Sequence, residues 1–144
     1  MTMLYGNTLC AKLPHAEGMC LLYELLSWDQ GSLVCTAVSH RDPNNPLRRD
    51  GQLAAIHAIE YACQASALHC ALTSPGGAPQ RAVLAAVHDL WLDCAYLDVL
   101  VAPLCISVWR ELTLGPSAIY RFLVESMASS IARGRLTVAG GGAT

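Results

Sequence analysis

The chain has 144 residues, a formal net charge of −2, and a composition that is 53% hydrophobic but only 14% charged. That length suits one domain with a single core, and the absence of a basic excess gives no reason to expect nucleic acid as a partner. No apolar run is long enough to span a bilayer, because His57, Glu60, Gln64 and His69 interrupt the best candidate, so no membrane partner is expected.

The opening MTMLYGNTLCAKLPH lacks a basic start followed by an apolar stretch, and the protein is read as cytoplasmic rather than secreted. Cys20–Asp29 and Ser32–His40 read as two strands joined at Gln30-Gly31. Arg41–Gly51 is a loop by its Pro, Asn and Gly content. Leu53–Leu72, rich in Ala and Leu, reads as a mostly buried helix that the segment Ser74–Pro79 closes. Four strands follow, at Arg81–Cys94, Pro103–Leu112, Ser117–Met127 and Ser129–Gly140. In the first of these, strict alternation puts Leu84, Ala86, His88, Leu90 and Leu92 on one face and Asp89, Trp91 and Asp93 on the other. In the second, Leu104, Ile106 and Val108 share a face.

Two strands, one long helix and four strands imply an α+β fold in which an antiparallel sheet wraps the helix. One sheet face stays uncovered in that arrangement, which favours dimerisation. Residues 1–139 are expected to form a single domain and residues 140–144 a disordered tail.

The cysteines, Cys10, Cys20, Cys35, Cys63, Cys70, Cys94 and Cys105, are odd in number and scattered, with no C-x-x-C pair. They read as buried thiols in a reducing compartment, not as a disulfide framework or a zinc site, and no metal is expected.

Glu60 is the only formally charged side chain between Asp50 and Arg81. A carboxylate in a buried helix is costly unless it is paired, hydrogen-bonded or protonated, which makes it a candidate for chemistry. His57, Glu60 and Gln64 fall within about 60° of one another on a helical wheel and form a narrow polar stripe. The alternative is a solvent-facing stripe, but an exposed face usually carries several charges and this one carries a single one.

Three segments then point to a family: LPHAEGMCLL (Leu13–Leu22), HRDPNNPLRRDG (His40–Gly51) and IEYACQA (Ile59–Ala65). They resemble the hotdog fold and, within it, the FabA/FabZ-type dehydratases of 3-hydroxyacyl thioesters on acyl carrier protein. The chain looks most like the ApeP-like branch of aryl-polyene and related type II synthase clusters. The resemblance implies an antiparallel sheet around one central helix, an acyl carrier protein as partner, and a homodimer or a heterodimer with another hotdog subunit. It implies no cofactor beyond the phosphopantetheine that carries the substrate. Glu60 would protonate the departing β-hydroxyl, a histidine would take the α-proton, and a backbone N–H at the helix start would polarise the thioester oxygen.

The family's loop histidine, about fourteen residues before the glutamate, falls here on Pro46. His15 and His40 are the candidate replacements, with His57 one turn before Glu60; His69 and His88 lie further off. Leu13, Pro14, Ala55, Ile56, His57 and Gln64 are the candidate substrate-binding residues. Arg48, with Arg49, is a candidate for the phosphate or the acidic surface of the carrier. Two other functions fit the same residues: a catalytically silent hotdog subunit that supports a partner dehydratase, and a hotdog acyl thioesterase, which needs no loop histidine.

Overall fold

In a computed structural model of the chain, the described residues are 4, 6–13, 19–75 and 82–140. Pro14 and His15 therefore lie outside them, as does the tail from residue 141. The elements are α1 (Gly6–Cys10), β1 (Glu24–Trp28), β2 (Ser32–Ala37), α2 (Ala58–Thr73), β3 (Ala82–Leu92), β4 (Leu104–Leu114), β5 (Ser117–Ser126) and β6 (Ser129–Gly140), with 3-10 turns at Ser39–Arg41 and Ala55–His57. The six strands form one antiparallel sheet in the order β1-β2-β4-β5-β6-β3. The sheet curls around α2, which packs against β2, β4, β5 and β6.

The helix is buried almost all round because the sheet wraps it. Ala58, Tyr61, Ala62, Ala65, Ala67 and Leu68 are fully buried. Small alanines let the strands approach closely, and Tyr120, Phe122, Leu104, Ile106 and Leu136 fill the opposing sheet face. Leu104, Ile106 and Val108 do share a buried face. Alternation fails in β3, where the register against β6 shifts between Leu84 and Ala86 and again between His88 and Trp91. Extra residues at a bulge re-aim the side chains that follow, and Leu92 ends up exposed rather than beside Leu84.

β1 is shorter than the sequence suggests for a reason visible in its hydrogen bonds. Gln64 on α2 accepts from the Leu21 N–H at 2.8 Å and donates to the Met19 carbonyl at 2.6 Å. The Leu21 N–H and the Met19 carbonyl are thus satisfied by a helix side chain, and the Leu21 carbonyl by Ser39 Oγ at 2.7 Å, not by a strand ladder. The short helix α1 is absent from the sequence reading, and β6 extends through Gly140, one residue into the expected tail. The cysteine reading needs one correction: Cys10 and Cys20 form a disulfide, their Cα atoms 5.8 Å apart, while Cys35, Cys63, Cys70, Cys94 and Cys105 are free. Spacing in sequence did not reveal the pair because α1 folds Cys10 back onto the segment before β1.

Candidate active site

The chain approaches α2 through the 3-10 turn at Ala55–His57, which is tied to the loop before β4. Ala55 N–H donates to the Ala95 carbonyl at 2.9 Å, Leu97 N–H to the Leu53 carbonyl at 2.8 Å, and Leu53 N–H to the Asp98 carboxylate at 2.8 Å. The His57 N–H is spent on the Ala54 carbonyl at 3.0 Å. Between these two, the Ile56 N–H has no acceptor among the described residues. The free donor at the helix start is thus that of Ile56.

Glu60 lies one turn further, in the first turn of α2. It is half-buried, and among the described residues its carboxylate makes no hydrogen bond or ion pair. Ile56, His57, Ile59 and Glu60 are the open stripe of an otherwise enclosed helix start, with Ile56 45% exposed. Burial, and next the Glu60 charge, push the neighbouring Cys63 thiol up to about 11, so it stays neutral. His57 lines a pocket of about 210 Å³ with Arg49, Asp50, Gln52 and Tyr96.

The remaining histidines are placed by structure. His40 is fully buried in the 3-10 turn after β2, and its Nε2 lies 3.0 Å from the Leu100 carbonyl. A carbonyl only accepts, so Nε2 carries the proton, and Nδ1 is left with no hydrogen-bond partner among the described residues. Burial holds its pKa below the usual histidine value. His88 is exposed on β3. His69 lies on the far side of α2 from Glu60, buried, with Nδ1 2.7 Å from the Tyr120 hydroxyl and Nε2 2.8 Å from the Asp29 carbonyl. No described histidine is hydrogen-bonded to Glu60.

Gln64 anchors residues 19–21, as described above, rather than pointing at open space. Arg48 donates to the Gly51 carbonyl at 2.7 Å and the His40 carbonyl at 3.1 Å, while Arg49 is exposed. The first arginine therefore braces the loop. Leu13 is buried in the core. Sequence reasoning missed Tyr61, whose hydroxyl sits 2.9 Å from Ser39 Oγ and 3.2 Å from Asn45 Nδ2. These bonds fix the first turn of α2, which carries Glu60, to the loop after β2. The signal was a buried aromatic hydroxyl next to Glu60, which needs a partner.

A sheet curled around one helix, with a lone carboxylate in that helix's open first turn, makes this a hotdog-fold protein. A family model described as the ApeP dehydratase matches residues 8–141, and the chain belongs to the ApeP-like family. Among solved structures it is similar to the dehydratase heterocomplex ApeI:P from Xenorhabdus doucetiae, at 19% identity and a TM-score of 0.78, covering 92% of this chain and 90% of that one. It also resembles a mutant thioesterase from Pseudomonas aeruginosa, at 12% identity, a TM-score of 0.58 and coverage of 81% and 78%. A thioesterase from Haemophilus influenzae matches at 11% identity and a TM-score of 0.60, covering 82% of this chain and 77% of that one. No curated protein matches the sequence.

Proposed function

We propose that the chain supplies the acid half of a dehydratase that converts 3-hydroxyacyl thioesters on an acyl carrier protein to trans-2-enoyl thioesters. One observation carries this reading: the Glu60 carboxylate is unpartnered at the open start of α2, four residues from the unspent Ile56 N–H. The Ile56 N–H is an unspent donor of the helix start, and Glu60 sits on the open first turn that follows it. A base removes the α-proton, the Cα–Cβ double bond forms, and the β-hydroxyl leaves as water with the proton from Glu60. The Ile56 N–H steadies the charge that builds on the thioester oxygen.

His40 and His69 are committed to backbone carbonyls, His15 lies outside the described residues, and His57 is the candidate base within the chain, one turn before Glu60; we infer that a second hotdog subunit supplies the base. Family membership supports the dehydratase class, and likeness to a chain of a dehydratase heterocomplex supports pairing with an unlike subunit. The test is enoyl formation from a 3-hydroxyacyl carrier substrate by the pure protein, by its mixture with a complete hotdog dehydratase, and by both after Glu60→Gln. Activity that appears on mixing and vanishes with Glu60→Gln supports the reading. Activity of the mixture that ignores Glu60→Gln shows a silent supporting subunit instead, a reading favoured by Pro46 at the place of the loop histidine. Release of free thiol from an acyl thioester by the pure protein would point to the thioesterase.

A further inference from the structure

The outer face of the sheet, away from α2, carries a pocket of about 380 Å³ over β3, β5 and β6, lined by Asp89, Trp91, Arg121, Leu123, Arg133 and Arg135. That volume lies within the range of small-molecule sites. Two irregularities shape it. Asp89 has φ +54 at the β3 bulge, a conformation costly for a residue with a side chain. At the facing level of the sheet, β4 shifts register between Arg110 and Leu112, which makes Glu111 the extra residue. The two inserted carboxylates bracket one cation: Arg135 Nε is 2.7 Å from Glu111 and its Nη1 3.3 Å from Asp89. β3 also runs close over β6 here. A Cβ on Gly134 would lie 3.0 Å from the His88 carbonyl oxygen and 3.2 Å from the Phe122 ring, tighter than an ordinary contact, so glycine lets the strands approach closely between the two arginines.

Arg135 is therefore held by two carboxylates, Arg121 shares one of them at longer range, and Arg133 has none among the described residues. Arg121 lies 4.0 Å from Glu111 and stacks over Trp109 with its guanidinium carbon 4.1 Å from the ring centre. Arg133 stacks over Trp91 at 5.3 Å and has no carboxylate partner among the described residues. Trp91 itself is 59% exposed. Stacking on a tryptophan fixes the plane of a guanidinium while its N–H edge stays free to bind an oxyanion in two-point fashion.

We propose that this pocket binds a small organic anion, a carboxylate or phosphate monoester, with its oxyanion on Arg133 and Arg121 and its carbon portion against Trp91 and Leu123. The site is separate from Glu60, on the opposite side of the sheet from α2, and does not depend on the dehydratase reading. The test is titration of the full chain with phenyl phosphate, benzoate and inorganic phosphate, followed by tryptophan fluorescence and calorimetry. Phenyl phosphate is expected to bind about tenfold more tightly than inorganic phosphate, since a ring against Trp91 adds on the order of one stacking contact. Arg133→Ala is expected to abolish binding, and Arg133→Lys, which keeps the charge but loses the planar fork, to weaken it about tenfold. Arg133 is exposed, so circular dichroism should show intact folds for both variants. Lack of saturable binding of any probe, or binding that Arg133→Ala leaves unchanged, overturns the proposal; so does binding seen only with an acidic protein, which would make the face a protein-docking surface.

Discussion

At the first turn of α2, Glu60 and the Ile56 N–H face an opening and bond to nothing in the described residues, whereas three turns further on His69 sits in a closed chain of donors and acceptors. The directions in that chain are fixed by chemistry. The Asp29 carbonyl can only accept, so His69 Nε2 carries the proton and Nδ1 must accept from the Tyr120 hydroxyl. The Tyr120 oxygen in turn accepts from Arg110 Nε at 3.1 Å, and Arg110 Nη2 donates to Thr73 Oγ1 at 2.8 Å. One end of the helix thus has every polar group matched and the other has groups left over. A matched network fixes the fold, and an unmatched carboxylate is available for a substrate.

The sharpest way to break that comparison is to alter each end and read activity and stability separately. Glu60→Gln should lower dehydration by about 10²- to 10⁴-fold, with little change in the urea midpoint, because the side chain has no bond to lose. A variant that is fully active, or one that unfolds early, would remove the distinction between the ends. Tyr120→Phe should do the reverse. It strips His69 Nδ1 of its donor and Arg110 Nε of its acceptor inside the core, at a cost of about 1–3 kcal/mol in urea unfolding, while activity in the folded protein is retained. Gln64→Leu tests the position between them. It unpairs the Leu21 N–H and the Met19 carbonyl, and should cost about 1–3 kcal/mol, with proteolysis at residues 19–22 as a second readout.

Much of the fold was legible. All six strands and the long helix could be read from period and punctuation, their order implies an antiparallel sheet around one helix, and the hotdog fold came from the resemblance of three segments. The losses have local causes. Strand alternation could not anticipate the bulges at Asp89 and Glu111, because a bulge is decided by partner strands. The Cys10–Cys20 disulfide depends on how α1 folds back, which spacing does not encode. At the site, Glu60 stood out as a charge in an apolar helix. The free Ile56 N–H did not, since it depends on which neighbours the Ala95 and Ala54 carbonyls accept. His40 was a candidate by residue type, but its Nε2 bonds the Leu100 carbonyl, a partner 60 residues away that local sequence does not reveal.

The smallest effect concerns pH and again separates the two ends. Burial is the first cause that holds both His69 and His40 below the ordinary histidine pKa of 6.5, and Arg110 beside the one and Arg41 and Arg48 beside the other act in the same direction. The carbonyl bonds from Asp29 and Leu100, and the Asp29 carboxylate, pull the other way without cancelling the burial. A base whose folded pKa is depressed is neutral in the fold while the unfolded chain takes up a proton. Stability is therefore full above the unfolded value and falls as pH drops below about 6.5. Protonated His69 would also present a second donor to a tyrosine hydroxyl that is already donating to it. The urea midpoint should fall between pH 7.5 and pH 5.5, and the fall should shrink in His69→Gln, which cannot protonate. An equal fall in that variant would place the pH dependence elsewhere, in His40 or in carboxylates, and would leave the closed end of α2 no more pH-sensitive than the open one.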